Sequence, residues 1–238
     1  MTGAALAALI RRKTKTDSTT YTDANILIDI NLMKDEIASR IATAKEEAFN
    51  VTTNDDLVED QRLYPYETDV MNQLVRLELK FTSDGDYVLA TPIKLSRARI
   101  PMQESIIISY YDNEAPRYFI RGKHIYILSG AITAVTSGIR WVYRCFPVDL
   151  ANITGVTDLS IDTSATELGF PREFHELLAR RVAIEYKDTN NISLSKKELD
   201  YEIDLQEAID NFDNPNADEE IVGELPSGAY RGDNGAEY

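Results

Sequence analysis

The stretch Val75-Arg76-Leu77-Glu78-Leu79-Lys80-Phe81 alternates strictly between apolar and charged residues. Successive side chains of a β-strand point to opposite faces of its sheet, so this period of two predicts a strand with one buried and one wet face. Ser83-Asp84-Gly85-Asp86 follows, and Asp-Gly between alternating runs indicates a hairpin turn. The centre of the chain is therefore predicted to be β-sheet.

Six more runs in the same region have the composition of short strands. They are residues 87–89, 106–111, 118–120, 124–128, 132–135 and 139–146, separated by Asp112-Asn113, Arg121-Gly122-Lys123, Ser129-Gly130 and Ser137-Gly138. Connections this short favour an antiparallel meander or a small sandwich over a parallel sheet. We expect this β-domain to span residues 57–147 and to follow a connection through residues 54–56. A turn is expected at Pro65, before the alternating stretch.

The period changes to that of a helix on the N-terminal side. Apolar residues recur there at steps of three and four, at Ile26, Ile30, Met33, Ile37, Ile41, Ala44 and Ala48. This stripe predicts a surface helix over residues 22–49, with Thr22 and Asp23 as suitable N-terminal caps. Its opposite face, including Lys34, is expected to be in water. Residues 4–12 could add a short helix, and the N-terminal helical part is assigned to residues 1–50.

Two helices are predicted on the C-terminal side, at residues 170–212. Pro171 suits a first helical position because its missing N–H is not needed there, and Ser195 with Glu198 forms a capping-box pair. The predicted fold class is α+β: a helical bundle of three main helices, an inserted antiparallel β-domain and an extended C-terminal arm. The residues expected to pack the bundle are Ile30, Met33, Ile37, Phe174, Leu178, Tyr201 and Leu205.

The last stretch, residues 213–238, has seven acidic residues and one Arg, so it is not expected to fold alone. Isolated apolar side chains nonetheless give it contact points: Ile221, Leu225, Tyr230 and Tyr238. We interpret it as an arm that orders on a partner. A frayed tail is the alternative.

The overall charge limits the partners. The chain has 25 Lys and Arg against 40 Asp and Glu, a net charge of −15, which repels nucleic-acid phosphates. Cys145 is the only cysteine, so no disulfide and no cysteine-based zinc site can form within one chain. We expect neither a secretory signal nor a membrane span. We expect the protein to be made in a reducing cytoplasm.

The residue types that usually carry chemistry have simpler explanations. His124 lies in a predicted hairpin, His175 lies in a helix, and Cys145 ends a strand. Asp84-Gly85-Asp86 has the spacing of a turn and lacks the other acidic ligands of a calcium loop. We therefore predict no catalytic, cofactor-binding or metal-binding residue, and no enzyme activity.

One strand has two contrasting faces. Ile139, Trp141 and Tyr143 alternate with Arg140, Val142 and Arg144, which predicts an aromatic core face and a partly basic outer face. Arg76 and Lys80 are expected to face outward on their own strand. These four basic residues are our candidates for a peripheral docking surface.

Several segments, taken in order, are similar to those of a known family. They are the helix at residues 23–48, Asp60-Gln61-Arg62-Leu63-Tyr64-Pro65-Tyr66, Val75-Arg76-Leu77-Glu78-Leu79, Tyr118-Phe119-Ile120-Arg121-Gly122-Lys123-His124-Ile125-Tyr126-Ile127, and Phe170-Pro171-Arg172-Glu173-Phe174-His175-Glu176-Leu177-Leu178. Over residues 20–212 this order resembles the head-to-tail adaptor, or connector, proteins of tailed bacteriophages. The chain departs from the family's Tyr-Pro-x-Pro, since it has Tyr64-Pro65-Tyr66-Glu67.

The resemblance implies a virion protein, made in the host cytoplasm, that forms a ring, usually of twelve copies, at the head-tail junction. Its partners would be further copies of itself, the portal protein, and a downstream nozzle, tail-tube or completion protein. Tail fibres or spikes are further candidates. The C-terminal arm would dock on the portal, and genomic DNA would pass through the ring without sequence-specific binding.

Two other functions remain open. A tail terminator or completion ring would share the symmetry but would bind tail-tube protein instead of the portal. A carbohydrate-binding β-module on a helical stalk would need Tyr118, Tyr126 and Trp141 to form an exposed platform.

Overall fold

A computed structural model describes residues 1–65, 74–94, 103–154, 158–164 and 167–212 of the protein. Its helices and sheets confirm the predicted α+β class. The helices are α1 (Gly3–Thr14), α2 (Asp23–Ala44), α3 (Glu104–Tyr110), α4 (His175–Thr189), α5 (Lys196–Leu199) and α6 (Tyr201–Asp210). The strands are β1 (Asn50–Leu57), β2 (Leu63–Pro65), β3 (Leu74–Leu79), β4 (Val88–Leu89), β5 (Thr91–Pro92), β6 (Arg117–Arg121), β7 (His124–Leu128) and β8 (Val135–Arg144).

The long helix α2 begins where the sequence predicts, because the Thr22 hydroxyl accepts a hydrogen bond from the Asn25 amide and caps the first turn. It ends at Ala44, five residues earlier than predicted. Its apolar stripe joins α1, α4 and α6 in one core. All seven predicted packing residues are buried there: Ile30, Met33, Ile37, Phe174, Leu178, Tyr201 and Leu205.

The C-terminal helices begin at the predicted signals. Pro171 precedes a short 3₁₀ turn (Arg172–Phe174) that leads directly into α4, so it caps this turn instead of occupying the first position of an α-helix. The capping box forms as predicted: the Glu198 carboxylate accepts from the Ser195 amide at 2.7 Å. Glu198 also accepts from Lys187 Nζ at 2.6 Å, which fastens α5 to the end of α4.

The strands form two four-stranded sheets. The first has the order β1-β8-β3-β4 and is antiparallel throughout, and the second has the order β2-β7-β6-β5. The predicted hairpin between β6 and β7 is confirmed, with Arg121 paired to His124 and Gly122 at a positive φ of 61° in the turn. Both sheets bury side chains in a shared core that includes Leu77, Ile127 and Trp141.

Residues 106–111, predicted to be a strand, instead lie largely in α3. The β-branched run Ile106-Ile107-Ile108 has a high strand propensity, but only Ile107 is buried, against Phe119 and Leu128 on the second sheet. One apolar contact per turn suits a short helix lying on a sheet. Tertiary packing therefore overrides local propensity here.

Ser137-Gly138 was predicted to be a turn between two strands, and this is wrong. β8 runs continuously through it, and the pairing with β1 shifts between Asp55 and Leu57, so the two residues form a bulge. A Cβ on Gly138 would approach the Leu57 Cβ to 2.6 Å. Glycine therefore allows β1 to cross closely at this point.

Two features of the sheets were not predicted. β1 begins at Asn50 and pairs with most of β8, so the first sheet starts before residue 57 and includes the segment assigned to a connection. β5 pairs with β6 in parallel, which makes the second sheet mixed. These strands were not predicted because β1 is largely polar and β5 is only two residues long, so neither shows a clear hydrophobic pattern.

Lys34 was expected to face water and is fully buried. Its Nζ donates to the Pro147 carbonyl and lies 2.6 Å from Asp149 Oδ1. Nearby, the Asn31 amide group bonds both the backbone N–H and the carbonyl of Leu150, at 3.0 and 3.1 Å. α2 therefore holds the segment that leaves the first sheet, which explains a buried charge on this helix.

Candidate assembly and docking surfaces

The outer surface of the first sheet carries the four predicted docking residues, and we call it the basic face: Arg76, Glu78, Lys80, Arg140 and Arg144 with Tyr87. Glu78 is the one carboxylate of this set. Arg76 Nε and Arg140 Nη1 both lie 3.1 Å from its oxygens. Two guanidinium groups therefore share one negative charge.

Tyr87 holds the other end of the basic face. The Arg140 guanidinium carbon lies 3.7 Å from the ring centroid, and Lys80 Nζ lies 5.5 Å from it. Attraction between a cation and an aromatic ring fixes these side chains without neutralising them. The Tyr87 hydroxyl donates to the Ser137 carbonyl at 2.5 Å, which holds the ring in place. Positive charge therefore remains available at a defined position.

Arg144 lies at the opposite end of β8, where the sheet meets the helices. Its Nη2 donates to the Glu46 carbonyl at 2.8 Å, just beyond the end of α2. Lys45, the preceding residue, donates to the Asp210 carbonyl at the end of α6, at 3.3 Å. The basic face thus extends from the middle of the sheet to the residues just beyond the end of α2, and Lys45 links these residues to the end of α6.

Two apolar pairs on the helices are exposed, and sequence reasoning did not single them out. Ile28 and Leu32, the α2 pair, are 63% and 60% exposed. Leu199 and Ile203, the α5–α6 pair, are both 68% exposed. Ile28 and Leu32 are four residues apart on α2 and so lie on one side of that helix, whereas Leu199 ends α5 and Ile203 lies in the first turn of α6, across the break at Asp200. Such pairs mark surfaces that can pack on another protein.

A cavity of about 450 Å³ lies beside the α2 pair, between the start of α2 and the end of α4. The Tyr21 and Tyr186 rings stack at its wall with centroids 4.4 Å apart, and the Tyr21 hydroxyl donates to Asp29. Burial, and then this hydrogen bond, raise the pKa of Tyr21. Among the described residues that line it, Asp29 and Glu185 are the only charged ones. The cavity therefore suits a positively charged group better than an anion.

His175 is buried and fully hydrogen-bonded. Its Nε2 lies 3.0 Å from the Phe170 carbonyl, so that nitrogen carries the proton, and Nδ1 accepts from the Met1 amino group at 2.9 Å. The same amino group donates to Asp158 at 2.6 Å. Burial is the main reason that the pKa of His175 is lowered. This arrangement joins α4 to the segment before it and fits a structural role.

Arg62 is the corresponding buried cation of the β-sheets, at 4% exposure. It makes a two-pronged contact with Glu104 on α3 and donates to the carbonyls of Ser129 and Gly130, at 3.2 and 3.0 Å. The hydrogen bonds from Arg62 are the main reason that the pKa of Glu104 is lowered. Arg62 therefore holds α3 on the second sheet.

The aromatic residues considered for sugar binding do not form an exposed platform. Tyr118 and Trp141 are each 5% exposed, and the Trp141 indole N–H donates to Asp55 at 2.7 Å inside the structure. Only Tyr126 is partly accessible, and its ring stacks on Phe119 at 5.1 Å. This geometry argues against the carbohydrate-binding alternative.

Within the described ranges, no group of three or more His, Cys, Asp or Glu side chains is arranged to hold a metal ion. Cys145 is partly buried, and burial raises the pKa of its thiol. None of the described helices is long and apolar enough to cross a membrane. The predicted arm contacts Ile221, Leu225, Tyr230 and Tyr238 lie outside the described residues.

No protein-family model matches the chain, and no curated protein matches it either. Inference about its function therefore rests on the surfaces above and on the order of its sequence elements.

Proposed function

We propose that the protein is a structural component of a tailed-bacteriophage virion, which forms a ring between the capsid portal and the tail and extends the DNA channel. In this proposal the helices form a bundle at the ring wall, the β-sheets lie at the periphery, and residues 213–238 form an arm that docks on the portal. The resemblance in the order of elements supports the proposal. One structural observation supports it further.

That observation is the pair of exposed apolar sites on the helices. A head-to-tail contact between copies uses two different surfaces, and such contacts generate a ring when their rotation closes. The α2 pair and the α5–α6 pair supply two such surfaces. Burying four aliphatic side chains that are 60–68% exposed would contribute about 4–8 kcal/mol per contact, before the cost of association is subtracted.

The charge of the chain agrees with a channel role. Each copy carries −15, so a ring of many copies would repel the phosphates of DNA and let the genome slide without binding. Basic patches are local: Arg140 and Arg76 share Glu78 on the outer face of a sheet. The proposal requires this basic face to lie away from the channel.

The assembly surfaces are tested by two double variants of the full chain. Ile28→Asn with Leu32→Asn removes one apolar pair, and Leu199→Asn with Ile203→Asn removes the other. Native mass spectrometry and negative-stain electron microscopy, with portal protein present, measure the number of copies per particle. We expect each double variant to lose the ring while its circular dichroism spectrum stays unchanged.

A matched control comes from exposed apolar residues of the second sheet. Leu63→Asn with Ile120→Asn changes side chains that are 45% and 48% exposed. This control should assemble like the unchanged chain. If it abolished the ring as well, or if both helix variants still assembled, the helix pairs would not be the lateral contacts.

Partner identity separates the adaptor from the tail terminator or completion ring. The tagged full chain and a variant with Ser at Ile221, Leu225, Tyr230 and Tyr238 are used in pull-downs from infected cells, and captured proteins are identified by mass spectrometry. Capture of portal protein by the full chain alone supports the adaptor and its arm. Capture of tail-tube protein without portal protein supports the terminator instead.

A further inference from the structure

The basic face and the chain's own C-terminal segment have opposite charges. The face carries four cations, Arg76, Lys80, Arg140 and Arg144, which outnumber Glu78 on the face and Asp56 at its Tyr87 end, where Asp56 accepts from the Ser137 amide. Residues 213–220 contain four acidic residues and no basic one. In a chain of net charge −15, this is a local match between a positive surface and a negative segment.

The two are also close in space at one end. α6 ends at Asp210, whose carbonyl accepts a hydrogen bond from Lys45. The carbonyl of the next residue, Glu46, accepts from Arg144, which is the first cation of the basic face. The end of α6 and the Arg144 end of the basic face are therefore both tied to the two residues that follow α2, Lys45 and Glu46.

The length of the segment is sufficient. Four residues of strand separate Arg144 from Arg140, about 13 Å, and the neighbouring strand with Arg76 lies about 5 Å further away. Eight extended residues reach at most about 26–29 Å. The segment is therefore long enough to cross this part of the basic face, from Arg144 to Arg140 and Arg76.

We propose that residues 213–220 dock on the basic face of their own chain, with their carboxylates against Arg140, Arg76 and Lys80. Docking places a second negative charge near two guanidinium groups that otherwise share Glu78. Residues 221–238, which hold all four predicted portal contacts of the arm, remain available for the portal, and the inference itself does not rest on the proposed virion function.

The test uses the full chain with a nitroxide spin label in the acidic segment. Ala217→Cys, combined with Cys145→Ser, provides a single attachment site and keeps all four acidic residues. Two-dimensional NMR of the ¹⁵N-labelled protein then measures which backbone amides lose signal. We expect the amides of Arg76, Lys80 and Arg140 to lose most of their peak height at low salt and to recover it at 1 M NaCl, where the screening length falls to about 3 Å.

The matched control changes only the segment. Asp213→Asn, Asp218→Asn, Glu219→Gln and Glu220→Gln remove its charge, and none of these residues belongs to the helices or sheets described above. This variant should restore the signals of the basic face. A label at Ala236→Cys, far beyond the proposed contact, should cause less signal loss there.

Two results would overturn the inference. One is undiminished signal of the basic-face amides with the label at residue 217, or a signal loss that charge neutralisation leaves unchanged. The other comes from mixing ¹⁵N-labelled chains without spin label and spin-labelled chains without ¹⁵N. Signal loss of the same size in that mixture would assign the contact to a neighbouring copy.

Discussion

Replacing Arg62 with methionine tests whether one buried guanidinium holds α3 on the second sheet. Methionine keeps the length of the apolar stem but removes the donors. The lost hydrogen bonds are those to Glu104, at 2.6 Å from Nε, and those to the carbonyls of Ile127, Ser129 and Gly130, at 3.4, 3.2 and 3.0 Å. The three carbonyls would be left without this charged donor.

The expected cost follows from these contacts. An unsatisfied buried acceptor costs roughly 1–3 kcal/mol. The Glu104 side chain is 41% exposed and can be rehydrated, so it adds little. Because neighbouring contacts are not additive, we expect the free energy of unfolding to fall by about 3–5 kcal/mol. That is a large share of the roughly 5–15 kcal/mol of a typical domain.

Urea unfolding, followed by the fluorescence of Trp141, measures this change, because Trp141 lies in the core shared by both sheets. Glu104→Gln should cost less, since its amide oxygen still accepts from Arg62. Arg117→Met, an exposed arginine of the same sheet, should change stability by no more than about 0.5 kcal/mol. A loss below about 1 kcal/mol for Arg62→Met, with an unchanged denaturant slope, would refute the reasoning.

Because of the Arg62–Glu104 ion pair, the difference in unfolding free energy between the unchanged chain and Arg62→Met should depend on pH. The pKa of Glu104 is lowered from its ordinary 4.5 by the hydrogen bonds from Arg62. A lowered carboxyl pKa contributes stability that is present above 4.5 and is lost as the pH falls through the folded value. The difference in stability between the unchanged chain and Arg62→Met should therefore narrow on acidification below 4.5. An unchanged difference would mean that Glu104 does not contribute.

Three further predictions concern other buried groups. Lys34→Met removes the donor to Pro147 and should lower the free energy of unfolding by about 1.5–3 kcal/mol, or the melting temperature by roughly 3–12 °C, while exposed Lys196→Met should change it little. The pKa of His175 is lowered in the folded protein, so its contribution to stability is present above pH 6.5 and is lost as the pH falls below that value. His175→Gln should therefore reduce the fall in melting temperature that accompanies acidification from about pH 7 to 5. Gly138→Ala places a Cβ 2.9 Å from the Val135 carbonyl oxygen and should cost about 1–3 kcal/mol by chemical unfolding, and a neutral effect would show that the bulge can relax.

Local signals with a clear mechanism allowed much of the fold to be predicted. The Thr22 cap starts α2, the Ser195–Glu198 box starts α5, and Gly122 turns the hairpin between β6 and β7. Each of these depends on residues close together in the chain. Their outcome therefore depends little on how the rest of the molecule packs.

Features decided by distant contacts could not be predicted. The run around Ile107 is helical because it lies on the second sheet, and Lys34 is buried because the segment at Pro147 returns to α2. The outward direction of the four basic residues follows from strand alternation. The exposure of Ile28 and Ile203 does not follow from any such pattern. Helical periodicity cannot tell which apolar positions another helix will cover.

The chain passes from the helices into the sheets, and returns from the sheets to the helices, at one point. Asn50 pairs with Arg144, and the Cys145 amide donates to the Phe49 carbonyl at 3.0 Å, so the outgoing and returning chains are immediate neighbours. Paired residues on adjacent strands have Cα atoms only about 4.5–5.5 Å apart. A two- or three-residue turn could close that gap without moving the ends of the helices. The whole of residues 50–144 can thus be treated as an exchangeable cassette, and a different β-module could be grafted onto the same helical base.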